Sequence, residues 1–428
     1  MCQSRVICSK TPSFCPSGHT SSMPSHPHWT APLTEWWNSS SIPLEKRGRV
    51  GLHHWALDPE GRFLNHGSYG ARLRETLVCQ QRQALRIDAD PMRRLTDHLE
   101  SDLDIARHGI ANRLGADPNG LVFCENASTA IESVLRSISF ASGDRVICLG
   151  HVYNAVRQAV KRRCVETGAI AIEVPMPLPF DSDQLERDVL AEVRNGASLC
   201  ILDAITSGSA LRIPWASLAA KVKACGVPVL IDAAHVPGQD PLILRDLEFD
   251  WFAGNLHKWT GAALGSAILS VASERRDQTL ALVTSHHWDE GLSRSFHWTG
   301  TRDWSPWLTA ADAWDQMEQF AGGWDTLRFY QRTGSKALDD AFTLAFGTTS
   351  ITPESSRTAM CSVPLPASLQ QVDCLSFERQ LDQRFGLRVP IHVLSGCTMV
   401  RVSIHLHTEL DDVIALGEAI LQCADESS

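Results

Sequence analysis

Val227-Pro-Val-Leu-Ile-Asp-Ala-Ala-His-Val-Pro-Gly-Gln239, a polar connector, and then Phe249-Asp-Trp-Phe-Ala-Gly-Asn-Leu-His-Lys-Trp259 form the stretch whose reading decides the fold. Aliphatic residues from Val227 to Ile231, interrupted by one proline, run straight into Asp232. That is the pattern of a buried strand of a parallel sheet delivering a polar group at its carboxyl end. A second short apolar segment, Asp250 to Ala253, leads into Gly-Asn-Leu-His-Lys-Trp and sets Lys258 near the end of the neighbouring strand. An acid and an amine on adjacent strand ends are the two groups that pyridoxal phosphate (PLP) requires. The carboxylate keeps the pyridine nitrogen protonated, and the amine condenses with the aldehyde. Alone, either residue reads as an ordinary strand-end Asp or a surface Lys; the pair gives them a common purpose.

Upstream of this stretch the pattern alternates. Strands are expected at Leu121 to Cys124, Arg145 to Leu149, Ile170 to Val174 and Leu199 to Asp203, with helices beginning at about Asn154, Ser182 and Trp215. Strands separated by helical segments imply a mostly parallel sheet covered on both faces, with its ligand crevice at the carboxyl ends of the strands. His151-Val-Tyr153, Asp203-Ala-Ile-Thr-Ser207 and Asp232-Ala-Ala-His235 each fall just past such an end. An aromatic ring there can stack on a planar ligand, and a hydroxyl or imidazole can bind a phenolic oxygen. Glu125-Asn-Ala-Ser-Thr129, between a strand and an amphipathic helix, fits an anion site at a helix N-terminus or a plain Ser128 cap. Phe63-Leu-Asn-His-Gly-Ser-Tyr-Gly70 reads as a short strand breaking into a glycine-bounded polar loop.

Domain expectations follow from the same pass. Residues 1–45, rich in Ser, Pro and His without periodicity, read as a disordered extension. Residues 46–310 read as a large ligand-binding domain, and residues 311–428 as a smaller α+β domain with strands near Ala359 and Met399. The segment Phe296 to Trp307, dense in Trp, reads as an interface or pocket rim with Trp304 and Trp307 as its anchors.

A net charge of −10 with no compensating basic patch argues against nucleic-acid or anionic-membrane partners. The thirteen cysteines show no CxxC pair or metal-ligand spacing, so no metal is expected, and several lie in apolar runs as a reduced thiol does. With no apolar run long enough to span a bilayer and no signal-peptide core, the expected location is cytoplasmic.

Asp232-Ala-Ala-His235, Asn255-Leu-His-Lys-Trp259 and Gly300-Thr-Arg-Asp-Trp-Ser-Pro-Trp307, in this order and spacing, resemble the fold-type I PLP enzymes of aminotransferase class V. Within that class the chain is most similar to the isopenicillin N epimerase family, from about Leu64 to Ile420. The resemblance implies that Lys258 carries the Schiff base, that Asp232 pairs with the pyridinium, and that Tyr153 stacks on the ring as a third catalytic residue. It implies that His235 binds the phenolic oxygen with Ser207 nearby, and that Ala127, Ser128 and His257 hold the phosphate. Thr301 would complete that phosphate site from the second subunit of a homodimer. Arg401 would receive the α-carboxylate of an amino-acid-type substrate, with Asn65 and His66 in a substrate loop spanning 63–70.

These residues imply chemistry at the α-carbon of an amino acid, and the resemblance favours epimerisation. That reaction needs a second acid facing Lys258, for which Tyr69, His66, His405 and His407 are the candidates. The alternatives are a C–S lyase, a desulfurase or an aminotransferase. Cys397, four residues before Arg401 on the same expected strand, reads as structural rather than as a persulfide carrier.

Overall fold

The computed structural model describes residues 28–427. Seven strands make the main sheet: β1 (Leu121–Cys124), β2 (Arg145–Leu149), β3 (Ile170–Val174), β4 (Ala197–Asp203), β5 (Val229–Asp232), β6 (Trp251–Asn255) and β7 (Ala267–Val271). Their spatial order is β1-β7-β6-β5-β4-β2-β3, and β7 alone runs against the rest. Successive side chains enter two different cores. Ile147, Ile231 and Phe252 pack on one face, while Val146, Leu230 and Trp251 pack on the other. A period of two with both faces buried is why these segments are apolar throughout instead of alternating. The expected α/β fold of fold-type I is therefore present, with β5 at the middle of the sheet and Asp232 at its carboxyl end.

Three antiparallel strands form a second sheet: β8 (Met360–Pro364), β9 (Ile391–Leu394) and β10 (Cys397–Ser403), in the order β9-β10-β8. Strand β9 escapes the sequence reading because it is only four residues long and His392 breaks its apolar run.

The amino-terminal segment departs from expectation. Residues 1–27 lie outside the described residues, but from Trp29 onward the chain is packed, so the disordered extension was drawn too long. Helix α1 (Ala31–Ser39) lies on the long helix Trp324–Phe346, burying Leu33 and Trp36, and the Trp36 indole donates to the Tyr330 carbonyl at 3.1 Å. Two turns of helix are unstable alone. Burying each large side chain contributes roughly 1.5–3 kcal/mol, so tertiary packing supplies what local propensity lacks. Further on, Arg62–Phe63 pairs in parallel with Leu387–Arg388, and the Leu64 carbonyl accepts from the Ser403 amide at 2.9 Å.

Of the two readings of the Trp-rich segment, the pocket rim is the one seen: Phe296, Thr299 and Trp307 line a cavity of about 210 Å³, and Trp304 and Trp307 are buried within their own chain. Trp304 stacks on Trp298, while Trp307 stacks on Phe123 and donates to the Gly265 carbonyl at 2.8 Å. Among the described residues, no helix is long and apolar enough to cross a membrane.

Candidate active site

Two adjoining cavities open at the carboxyl ends of the main sheet. The inner one, about 340 Å³, is lined by Ala127, Ser128, Asp232, His235, His257 and Lys258, among others. The outer one, about 540 Å³, reaches Arg401. Ser68, Tyr153 and Ser207 line both and mark their boundary.

Parallel pairing of β4 with β5 sets Asp203 directly beside Asp232. Burial raises both carboxyl groups above the usual range, and the charge of Asp232 raises Asp203 further. Lys258 and the Ala234 amide, at 3.1 Å from Oδ1, favour an ionised Asp232. Asp203 is accordingly the neutral member, and its Oδ2 is buried without a partner. Asp203 sat in a motif that the sequence singled out, but its pairing with Asp232 depends on strand order, which sequence does not display.

Burial also pulls the Lys258 amine down to about 7, against the opposing pull of Asp232. Its Nζ lies 3.2 Å from His235 Nε2. The tautomer of His235 follows from its other neighbour. Trp259 Nε1 is a donor only, and at 3.3 Å it obliges His235 Nδ1 to accept. A neutral imidazole then carries its proton on Nε2 and donates to an unprotonated lysine. Burial holds His235 well below its ordinary value, which keeps it neutral.

The helix Ala127–Ser137 begins at the cavity wall, with Asn126 as its cap: the Asn126 side chain accepts from the Thr129 amide at 2.9 Å. The cap is therefore Asn126 and not Ser128. The Ala127 amide donates to Asn255 Oδ1 at 2.8 Å, a contact from the end of β6 that no sequence pattern announces. With the Ala127 and Thr129 amides engaged in this way, the rest of the first turn and the positive end of the helix are what suit an anion. His257, on the same side, donates from Nδ1 to the Ser266 carbonyl at 2.9 Å, and burial lowers it to about 4.

Arg401 is buried on β10. Nη1 donates to the Ser207 carbonyl at 2.8 Å, and Nη2 to Asn65 Oδ1 at 2.9 Å and Ser68 Oγ at 2.7 Å. These are neutral oxygens, and its Nε is buried without a partner. Burial lowers its pKa to about 10, so it remains a cation at neutral pH. A buried guanidinium held by neutral acceptors is arranged to receive an anion.

Three expected residues fall elsewhere. Asn65, expected to meet substrate, lines neither cavity and reaches the site through its bond to Arg401. His66, expected to meet substrate, lines neither cavity. Its ring is fully buried, with Nε2 3.0 Å from the Lys258 carbonyl and Nδ1 3.0 Å from His407 Nε2. His405 stacks against it at 4.1 Å, and burial keeps all three rings neutral. Gly70 shows how tightly this segment is seated: at φ +73, a Cβ there would meet the His257 carbonyl at 2.1 Å. Thr301 is exposed and lines neither cavity of its own chain. Cys397 is buried, its Sγ donating to Gln370 Oε1 at 3.3 Å.

The donor set fits PLP. A sheltered carboxylate, a buried amine of lowered pKa and a helix N-terminus surround one cavity, and the orphaned Asp203 oxygen marks polar capacity that the chain itself leaves unused. The comparisons agree. The aminotransferase class-V family model matches residues 84–293. A protein of Oryza sativa subsp. japonica named "Putative L-cysteine desulfhydrase 1" is 30% identical over 358 residues, covering 77% of this chain and 73% of that one. The isopenicillin N epimerase of Streptomyces clavuligerus is 25% identical over 395 residues, covering 88% and 97%. The fold matches the apo structure of a cysteine desulfurase from Thermococcus onnurineus NA1 with a TM-score of 0.73 at 15% identity, over 91% and 99% of the two chains. The chain belongs to the aminotransferase class-V family and is a PLP-dependent enzyme.

Proposed function

We propose that the enzyme is a C–S lyase, cleaving the bond between the β-carbon and sulfur of an L-cysteine-type amino acid. With water, L-cysteine would yield pyruvate, ammonia and hydrogen sulfide. When bound, PLP supplies an aldehyde that takes up the substrate amine and a ring that accepts electron density from the α-carbon. The chain does the rest. Arg401 holds the α-carboxylate, drawing on a guanidinium whose partners are neutral. Lys258, brought to about 7 by burial, is poised to take the α-proton at neutral pH. His235 orients that amine from 3.2 Å, and Asp232 supplies the charge that a pyridinium needs.

The observation that carries the choice of reaction is the engagement of the histidine candidates. His66, His405 and His407, which epimerisation would use as a second proton donor, form a closed stack against the backbone of Lys258. Elimination requires one base on the substrate, and Lys258 provides it. Among the described residues no cysteine lines either cavity, which separates this reading from persulfide chemistry. The desulfhydrase name of the rice relative supports the same reading.

A second reading, epimerisation, retains one favourable observation. Tyr69 is exposed, follows Ser68 of the cavity boundary, and is close enough to Arg401 to be felt electrostatically. One experiment decides between them. In heavy water, the lyase is expected to release pyruvate and sulfide from L-cysteine, and Cys397→Ala is expected to leave that turnover intact. Recovery of the amino acid with deuterium at an inverted α-carbon and no pyruvate would overturn the proposal.

A further inference from the structure

The outer cavity is larger than L-cysteine needs. A thiol is one heavy atom, whereas about 540 Å³ lies beyond the boundary residues. Direction is fixed by the two anchors. Lys258 lines the inner cavity and Arg401 the outer, so a substrate held by its amine and carboxylate straddles Ser68, Tyr153 and Ser207. The inner cavity carries the groups that fit the cofactor, which leaves the β-substituent one way to go.

The chemistry of the walls is decided by which groups are already satisfied. His151 is bound on both nitrogens, Nδ1 by Ser209 Oγ and Nε2 by Ser395 Oγ, each at 3.1 Å. Arg157 is engaged by Glu173 at 3.0 Å and by the Gly150 carbonyl at 2.9 Å. His392 Nε2 is the exception, buried without a partner among the described residues, and offers one polar contact. Val152, Met176, Pro390, Val393 and Leu394 provide the apolar part of the wall. Polar groups that satisfy one another offer little to a polar ligand, whereas apolar wall gains from being covered.

Resting on the lyase reading, we propose that the outer cavity is a subsite for an extended, mainly apolar S-substituent, and that S-alkyl-type L-cysteines are preferred over L-cysteine itself. Elimination then expels the substituent as a thiol: the Cβ–S bond breaks, sulfur leaves with the electron pair and takes up a proton, and pyruvate and ammonia follow on hydrolysis. The subsite selects for length. Each methylene that enters it is expected to raise kcat/KM by about fourfold, from roughly 0.8 kcal/mol per buried group.

The test compares L-cysteine with S-methyl-, S-propyl- and S-butyl-L-cysteine on the holoenzyme, measuring pyruvate release and, separately, calorimetric affinity. Both are expected to rise along the series. Val393→Trp, at an exposed position on the cavity wall, is expected to abolish that rise while leaving L-cysteine turnover within about twofold. A flat or falling series, or a rise that survives Val393→Trp, overturns the subsite. Affinity that climbs with length while no substrate yields pyruvate upholds the subsite and overturns the lyase reading instead.

Discussion

Lys258 and Arg401 face one another across the site, yet their walls are built in opposite ways. The lysine wall is local: Asp232 and Lys258 follow neighbouring strands of one parallel sheet, so a single stretch of sequence displays both. The arginine wall is assembled from far apart. Arg401 is held by Asn65 across 336 residues and by Ser207 across 194. The lysine wall is dense in titratable groups that shift one another; the arginine wall sets one cation among neutral oxygens. The first is organised for chemistry and the second for holding.

That division can be broken by experiment. Lys258→Ala is expected to lower turnover by at least about a thousandfold, because among the described residues no other amine lines the inner cavity. Loss of the visible band of the lysine-attached cofactor should accompany it, and its retention would dismiss Lys258. Asp232→Asn is expected to lower kcat by about a hundredfold while the protein still binds PLP, since an amide does not hold the pyridine nitrogen protonated. Arg401→Gln is expected to act on the other parameter, raising KM for amino acids by about a hundredfold, in line with truncating one partner of a buried charge pair. A kcat effect from Arg401→Gln with unchanged KM would erase the distinction between the walls.

Legibility followed the same division. Strands β1, β2 and β3 begin and end where the apolar runs do, and Asp232, His235, His257 and Lys258 all reach one cavity, because strand-end residues share an edge by construction. The Asn255–Ala127 contact and the Asp203–Asp232 pairing were hidden, since they depend on the order of strands in the sheet. His66 was misjudged for a related reason. A polar residue in a glycine-bounded loop reads as solvent-facing or ligand-facing, and only the arrival of His405 and His407 from the far end of the chain turns it inward. The helix at Ala31–Ser39 was missed because its stability comes from the surface it covers.

Smaller effects sharpen the comparison. We propose that Thr301, exposed in the single chain, meets the phosphate site of a second subunit. Thr301→Ala is then expected to weaken PLP binding by about tenfold, the worth of one charge-assisted hydrogen bond. A monomer by light scattering that stays fully loaded with PLP would remove the dimer from the account.

Acid should loosen both walls of the cofactor-free protein. Burial lowers His66 to about 3 and His151, His257 and His392 to about 4, all below the 6.5 of an unfolded histidine. The unfolded chain therefore binds more protons between these values, so the stability these groups provide is complete above pH 6.5 and drains away as pH falls toward 4. Each contributes up to about 1.4 kcal/mol per pH unit in that window. Urea midpoints are expected to fall across it, and His66→Gln to make the slope shallower by roughly one proton.

The stitching of Leu64 to Ser403 and of Asn65 to Arg401 also orders events in time. During synthesis the main sheet can form as soon as β7 has emerged, but the substrate loop has no docking surface until β10 follows, more than a hundred residues later. The nascent chain can thus assemble its lysine wall well before its arginine wall, and on the roles proposed above catalytic competence arrives with the last strand rather than with the largest sheet.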